Sequence, residues 1–432
     1  MFRFQAFAKW LSPGIGIKRW FLLIVLGIAF AAGGLTYEIL LIAPSLRIGE
    51  ANPIGILGGL VAIGVGFLLV VLAVIELSRR VLAPYREYQQ GRVVDVVYAH
   101  SKRRKGLRVV AIGGGTGLPS VLRGMKQFTS NITAIVTVAD DGGSSGRLRR
   151  ELGVLPPGDL RNNIAALADD EHLMTRLFQY RFDAGDLDGH AFGNLFITAL
   201  SGVTGSIESA LVETARVLNI QGRVLPSTLQ DVQLSALVRV REGQPVVSIS
   251  GESHITGAGG VIDQISLVPE DATAYSESAQ AVLEADLIVI GPGSLYTSIL
   301  PNLLIRGIAE ALRATNAYIV YVCNVATQPG ETDGFTVAEH VMVLERHIGR
   351  GVFQLVLANN AYPTANAGST QYVRPVPEHH EMLQRYEVRY TDLTDPDHPW
   401  RHHSEKLAAA ILRLSEEERF GLAKDVAAFA EP

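Results

Sequence analysis

The chain of 432 residues has one cysteine, three tryptophans and five methionines. A single thiol excludes an internal disulfide framework and a cysteine-based zinc site. Cys323 lies in the apolar run Tyr318-Ile-Val-Tyr-Val-Cys323, which reads as a buried strand rather than the setting of a nucleophile. There is no His-Glu-x-x-His, no Gly-x-Ser-x-Gly and no cysteine–histidine cluster, so metalloprotease, α/β-hydrolase and zinc chemistry have no support. The chain also lacks an internal repeat, and its body lacks the clustered basic stripe that a nucleic-acid partner would require.

Charge is unevenly divided. Residues 1–107 hold 13 Lys/Arg against 5 Asp/Glu, which leaves 25 against 38 in the remainder. A basic flank (+8) on an acidic body (−13) suits contact with an anionic membrane surface. Two apolar runs, residues 21–43 and 54–75, each meet the length of about 20 residues needed to span a bilayer. Glu38 falls near one end of the first run, where it is expected to reach the interface. Residues 44–53 are short enough for a hairpin loop, and the glycines between Gly55 and Gly66 suit close helix packing within the hairpin or against another copy of the chain. A cleavable signal peptide is the competing reading of the first run, and the second run argues against it. Arg3, Lys9, Lys18 and Arg19 precede the first run; Arg79, Arg80, Arg86 and Arg92 follow the second; the loop carries Arg47 alone. The expected layout is a cytoplasmic tail (1–19), a transmembrane hairpin (20–78), a basic linker (79–107) and a cytoplasmic body (108–432), in the cell membrane with both termini cytoplasmic.

The body reads as α/β. A strand at 107–112 runs into Gly113-Gly-Gly-Thr-Gly117, followed by a helix over 118–128 and a strand over 134–138. This is the start of a mostly parallel sheet with helical crossovers. Helical periodicity occupies 160–219, with breaks near 183–189 and 201–205. Alternating runs over 225–268, with a hairpin turning at Glu242-Gly-Gln-Pro245, suggest a small β-rich insertion. Parallel strands return at 286–290, 317–323 and 352–357, and an amphipathic helix at 404–430. Ligands in such sheets bind beyond the carboxyl ends of the strands.

The candidate site residues sit at those ends. Gly113, Gly114, Gly115, Thr116 and Gly117 place backbone N–H groups and a helix N-terminus where an anion would be held. The run is not a Walker A loop, and Leu118 stands where a dinucleotide fingerprint needs its third glycine. Gly291-Pro-Gly293-Ser294 repeats the logic after another strand, with Ser294 as a candidate N-cap. Two such loops point to a ligand with more than one phosphate, or with a phosphate and a sugar. Asp140 and Asp141 end a strand and precede Ser144, Ser145, Arg147, Arg149 and Arg150. Carboxylates there suit Mg²⁺ or sugar hydroxyls, and the arginines a phosphate clamp, against the simpler reading of a turn and a solvated helix face. Asp159 is a candidate N-cap beside Arg161 and Asn162. His190 and Asn194 offer an acid/base and an amide, and Asn324 to Gly334 is too polar for a plain strand exit.

Taken in order, Gly113-Gly-Gly-Thr-Gly117, Asp140-Asp-Gly-Gly-Ser-Ser-Gly-Arg-Leu-Arg149, Pro157-Gly-Asp-Leu-Arg-Asn162, Gly291-Pro-Gly-Ser-Leu-Tyr-Thr-Ser298 and Gln328-Pro-Gly-Glu-Thr-Asp-Gly334 resemble the YvcK/CofD-like family, on its YvcK side. The resemblance implies a Rossmann-like fold and a nucleotide-sugar ligand such as UDP-N-acetylglucosamine, in a regulator linked to cell shape, envelope synthesis and growth on gluconeogenic carbon sources. It implies ligand contacts at Thr297, Gln328, Tyr372 and Arg401 as well as the loops above. The CofD side of the family implies instead a Mg²⁺-dependent 2-phospho-L-lactate transferase, with Asp140 and Asp159 as metal ligands. The expected partners are the ligand, the membrane, a protein not identified by sequence, and a second copy of the chain; whether a reaction is catalysed stays open. Protease added to right-side-out vesicles is expected to leave the body intact; its digestion there would overturn the hairpin topology.

Overall fold

The computed structural model describes residues 18–42, 53–86, 103, 105–168, 173–240, 245–364 and 368–429. It divides into two compact units, residues 1–100 and 101–432.

The first unit is a pair of helices, Lys18–Ile42 and Pro53–Arg86, both long and apolar enough to cross a membrane. Glycine sets their separation. A Cβ on Gly27 would lie 2.8 Å from the Gly66 carbonyl oxygen, and one on Gly34 would lie 2.8 Å from that of Gly59. The close packing expected of the glycine-rich run is therefore found within the hairpin. Glu38 departs from expectation: it is 8% exposed and packs against Gly59 of the facing helix instead of reaching outward. The second helix continues through residues 79–86 of the expected linker, and Glu76 and Arg79 form an ion pair on it at 3.6 Å. The expected loop at 44–53, apart from Pro53, and most of the rest of the linker lie outside the described residues.

The second unit is built on a seven-stranded sheet in the order β10-β9-β8-β7-β1-β2-β3, parallel throughout. Its strands are β1 (Val109–Gly113), β2 (Ile132–Val136), β3 (Arg223–Pro226), β7 (Leu287–Ile290), β8 (Tyr318–Val322), β9 (Leu355–Asn359) and β10 (Glu387–Thr391). Every residue of β1, β2, β7 and β9 is buried, as a strand covered on both faces requires. Helices supply the cover, and the apolar stripe of Leu118–Met125 packs Leu118, Val121, Leu122 and Met125 into the core. The chain lays down β1, β2 and β3 in one direction, then returns to the other side of β1 for β7 and proceeds outward. The loops after β1 and β7 thus diverge at a topological switch point, where an open parallel sheet forms its crevice.

The β-rich insertion forms its own antiparallel sheet, β5-β4-β6, from β4 (Gln233–Arg239), β5 (Val247–Ser250) and β6 (Val261–Val268). The expected hairpin pairs Val238 with Val247; residues 241–244 at its tip are outside the described residues. The short helix Glu252–Gly257 joins β5 to β6. Two edge strands were not anticipated: β3 is four residues ending in proline, and β10 alternates Glu387-Val-Arg-Tyr-Thr391 with no fully buried position. β9 begins three residues later than the apolar run suggested, so Ala358 and Asn359 belong to the strand.

Asn302 ties the switch point together. Fully buried, it donates from Nδ2 to the Gly113 carbonyl at 2.9 Å and to the Ser298 carbonyl at 2.8 Å. Replacing it with alanine removes both side-chain bonds from a dry interior and leaves the Gly113 carbonyl with the Thr137 N–H alone, at a cost of about 2 kcal/mol. Chemical denaturation of Asn302→Ala should show that loss, and an unchanged midpoint would remove the role.

Candidate functional site

The glycine loop turns at Gly115, whose φ is +60°, and Gly117 caps the following helix. The loop after β7 turns at Gly291, with φ +77°. The two backbones touch: a Cβ on Gly117 would sit 2.7 Å from the Pro292 carbonyl carbon and 2.8 Å from Gly293 Cα. Only glycine admits that approach. Asn324, just past β8, clamps the second loop reciprocally, accepting from the Gly293 N–H at 3.0 Å and donating to its carbonyl at 2.8 Å.

Over these loops lies a cavity of about 640 Å³, within the ordinary range for a small-molecule site. Of the expected site residues it brings together Thr116, Gly117, Gly293, Ser294, Asn324, Gln328 and Arg401. The far wall comes from Gly368–Gln371 and from Trp400, Arg401 and His402. Trp400 and Arg401 are exposed, so the cavity offers an indole and a guanidinium to whatever enters. Tyr372 stands behind that wall, its hydroxyl donating to the Pro363 carbonyl at 2.7 Å and its ring edge-on to Tyr362.

Much of the remaining motif chemistry braces the loops. Ser294 occupies the expected N-cap position, yet its hydroxyl makes no cap and donates to Gln328 Oε1 at 2.5 Å. Gln328 Nε2 donates to Glu331 Oε1 at 2.8 Å, and Thr297 Oγ1 donates to the same oxygen at 3.0 Å. Thr297 therefore faces Glu331 and not the cavity. Burial pushes Glu331 up to about 7, against the bonds from Thr297 and Tyr296. Cys323 is wholly buried, and burial drives its thiol to about 12. That matches the strand reading and rules out a reactive thiolate.

Below the glycine loop lies a carboxylate group. Asp159 is not the N-cap of its helix: Gly158–Leu167 starts one residue earlier, with Pro157 at the cap. Its carboxylate instead accepts the Gly115 N–H at 2.8 Å, so that donor is already engaged. Burial first, and Asp140 next, raise Asp159, the net value reaching about 6 despite the Gly115 bond. Asp140 accepts the Gly142 N–H at 2.9 Å, and Glu252, on the insertion's short helix, hydrogen-bonds to it. Burial beside Asp140 and Asp159 holds Glu252 well above the usual carboxylate range. Asp141 accepts the Ser253 N–H at 3.0 Å and so anchors the insertion where Glu252 meets Asp140. Glu252 was missed because the stretch after β5 reads only as strand and turn; Gly251, with φ +95°, is the one local sign of a sharp change of direction. Mg²⁺ commonly uses one or two carboxylates and completes its shell with water and substrate oxygens. Asp140 and Asp159 fit that chemistry, and among the described residues no group of three or more His, Cys, Asp or Glu forms a ready-made metal cage.

A third group lies off the cavity. Ser144 Oγ is 3.0 Å from His190 Nδ1 and accepts from Asn194 Nδ2 at 3.1 Å. Ser145 packs against Gly158. Arg147 donates to the Asp188 carbonyl at 2.6 Å, and Asn162 accepts from Arg161 at 2.7 Å. Neither of the other two arginines is a phosphate clamp: Arg149, its side chain only 13% exposed, donates to the Val232 carbonyl at 2.8 Å and pairs with Asp231, while Arg150 lies on the exposed helix face and donates to the Asp141 carbonyl at 3.3 Å.

The family model described as 2-phospho-L-lactate transferase CofD matches residues 109–393. A relative from Nostoc sp. (strain PCC 7120) is 44% identical over 439 residues, spanning 95% of this chain and 93% of its own. The gluconeogenesis factor of Bacillus subtilis is 50% identical over 254 residues, 59% of this chain and 78% of that one. A crystal structure of a UPF0052-family protein from Bacillus halodurans is 42% identical, with a TM-score of 0.67, and covers 71% of this chain and all of its own.

His402 in the cavity wall is 8% exposed, and burial lowers it to about 4 despite its contact with the Cys323 carbonyl. In the unfolded chain it titrates near 6.5, so it contributes stability above that pH and loses it as pH falls toward 4. Relative to His402→Gln, the native chain should lose about 3 kcal/mol across that window. Parallel stability curves for the two would refute this.

Proposed function

The chain belongs to the CofD family, among its gluconeogenesis-factor relatives, and from that membership we propose that it binds a nucleotide-sugar, a UDP-sugar such as UDP-N-acetylglucosamine, as a membrane-tethered regulator linked to cell shape, envelope synthesis and central carbon metabolism. One observation carries the reading: the cavity at the switch point is lined by the two glycine loops, at Thr116–Gly117 and Pro292–Ser294, with a helix N-terminus at Gly117, and by an exposed arginine and tryptophan. The turns and the helix end suit a diphosphate; the guanidinium and indole suit the rest of the ligand. The two apolar helices of the first unit would hold the body at the cytoplasmic face of the cell membrane, where its output passes to a protein partner.

The carboxylates favour a second reading, a Mg²⁺-dependent transferase of the 2-phospho-L-lactate type. When bound, the metal would neutralise charge on phosphate oxygens; Asp140 and Asp159 would hold it. Glu252, held protonated against Asp140, would keep a proton at the same place.

The full-length protein in detergent, given UDP-sugars with Mg²⁺, separates the two. The expected result is saturable binding, with the nucleotide-sugar recovered unchanged by mass spectrometry after prolonged incubation. Bound ligand at roughly a hundredfold its Kd should raise stability by about 2.7 kcal/mol. Arg401→Ala should weaken affinity by about tenfold, the loss of one charge-assisted bond. Release of UDP or transfer of a phosphorus-containing group would promote the transferase; absence of binding would remove both the ligand and the regulator.

A further inference from the structure

The relay beneath the loop after β7 has a direction. Glu331 is buried, and an ionised carboxylate can only accept hydrogen bonds. It takes three: from Thr297 Oγ1 at 3.0 Å, from Gln328 Nε2 at 2.8 Å and from the Tyr296 N–H at 3.4 Å. That carboxylate fixes the amide of Gln328. The flipped amide would set its oxygen 2.8 Å from a carboxylate oxygen, acceptor against acceptor in a buried place. The backbone of Gln328 is pinned as well, its N–H donating to Thr332 Oγ1 and its carbonyl accepting from the Thr332 N–H, both at 2.9 Å. Gln328 Oε1 is therefore turned toward Ser294. The 2.5 Å bond between them needs a proton, and only the serine hydroxyl has one.

A serine hydroxyl carries one proton and two lone pairs. With the proton spent on Gln328, Ser294 keeps only lone pairs for a ligand. The residue is half-buried and lines the cavity together with Gln328. The two residues before it add no free donor. Pro292 has no N–H, and the Gly293 N–H is taken by Asn324 Oδ1 at 3.0 Å. The other lining groups are of the opposite kind: Gly117 stands at a helix N-terminus, and Arg401 is an exposed guanidinium. Phosphate oxygens, which accept, are matched by those donors and mismatched at Ser294.

We propose that Ser294 determines specificity as a hydrogen-bond acceptor, receiving an O–H or N–H of the ligand and turning phosphate oxygens away from its end of the cavity. The inference rests on the nucleotide-sugar reading above and narrows it. The diphosphate is left to the helix end at Gly117 and to Arg401. Ser294 takes a donor, either from the sugar or from a hydroxyl or ring N–H of the nucleoside. Glu331 is not among the residues that line the cavity, and it sets this polarity through Gln328.

The test titrates full-length protein in detergent with UDP-N-acetylglucosamine and, separately, with UDP, by calorimetry at pH 8. At that pH Glu331, which burial pushes up to about 7, is ionised. Ser294→Ala should weaken the nucleotide-sugar by about tenfold, because a ligand donor is left unpaired. A loss that persists with UDP places that donor on the nucleoside, and one that vanishes with UDP places it on the sugar; either supports the proposal. Glu331→Gln keeps the size of the side chain but lets the amides at 328 and 331 turn, so that residue 328 donates to Ser294. It should also cost about tenfold, and adding it to Ser294→Ala should cost nothing more, since both act on one hydroxyl. Circular dichroism checks that each variant folds; Ser294→Cys, close in shape and a weak acceptor, carries the test if another does not. Native binding with unchanged or tighter affinity in folded Ser294→Ala, or additive losses in the double variant, would overturn this proposal alone. No binding by the native chain would remove the function proposed above and this inference with it.

Discussion

The contact between two bare stretches of backbone, Gly117 against Pro292 and Gly293, is the constraint on which the rest of the second unit rests. A side chain of any size at residue 117 would push the loops after β1 and β7 apart. With them would go the N-terminus of the helix Leu118–Met125, the base of the cavity, and the reciprocal clamp between Gly293 and Asn324. The switch in strand order places these two loops side by side; glycine lets them close.

Around that contact, polar side chains spend most of their hydrogen bonds on one another. Thr297, Gln328 and Glu331 form a relay under one loop, buried at Thr297 and Glu331, and Asp159 holds Gly115 under the other. Such networks hold loops rigid because each buried partner left alone would cost more than the bond itself is worth. What remains free to meet a ligand is smaller than the motifs suggest: the upper surfaces of the loops, Thr116, and the Trp400–Arg401 wall. The insertion is drawn in by the same logic, since Asp141 fixes Ser253 and so delivers Glu252 to Asp140.

The central strands were legible because burial on both faces demands unbroken apolar runs, and β1, β2, β7 and β8 have them. Edge strands face no such demand, which hid β3 and β10. The residues that form the site were also largely visible, as glycine, serine and acid at strand ends. Their roles were not. Ser294 and Asp159 both carry the side chains of helix caps, and each bonds instead to a loop distant in sequence, Gln328 for one and Gly115 for the other. Glu38 likewise turned inward, because Gly59 leaves room for it on the facing helix.

Sequence alone determined the two apolar helices, the parallel α/β core, the glycine turns and the family, since each is written in local composition and spacing. Tertiary structure decided which of the motif residues face the cavity, which brace it, and which stand apart around Ser144. Those outcomes depend on pairings across 30 to 190 residues, as Asn302 with Gly113 and Asn324 with Gly293 illustrate. A hydrogen bond is chosen by what lies within about 3 Å, and nothing in the local sequence records which distant backbone group will arrive there.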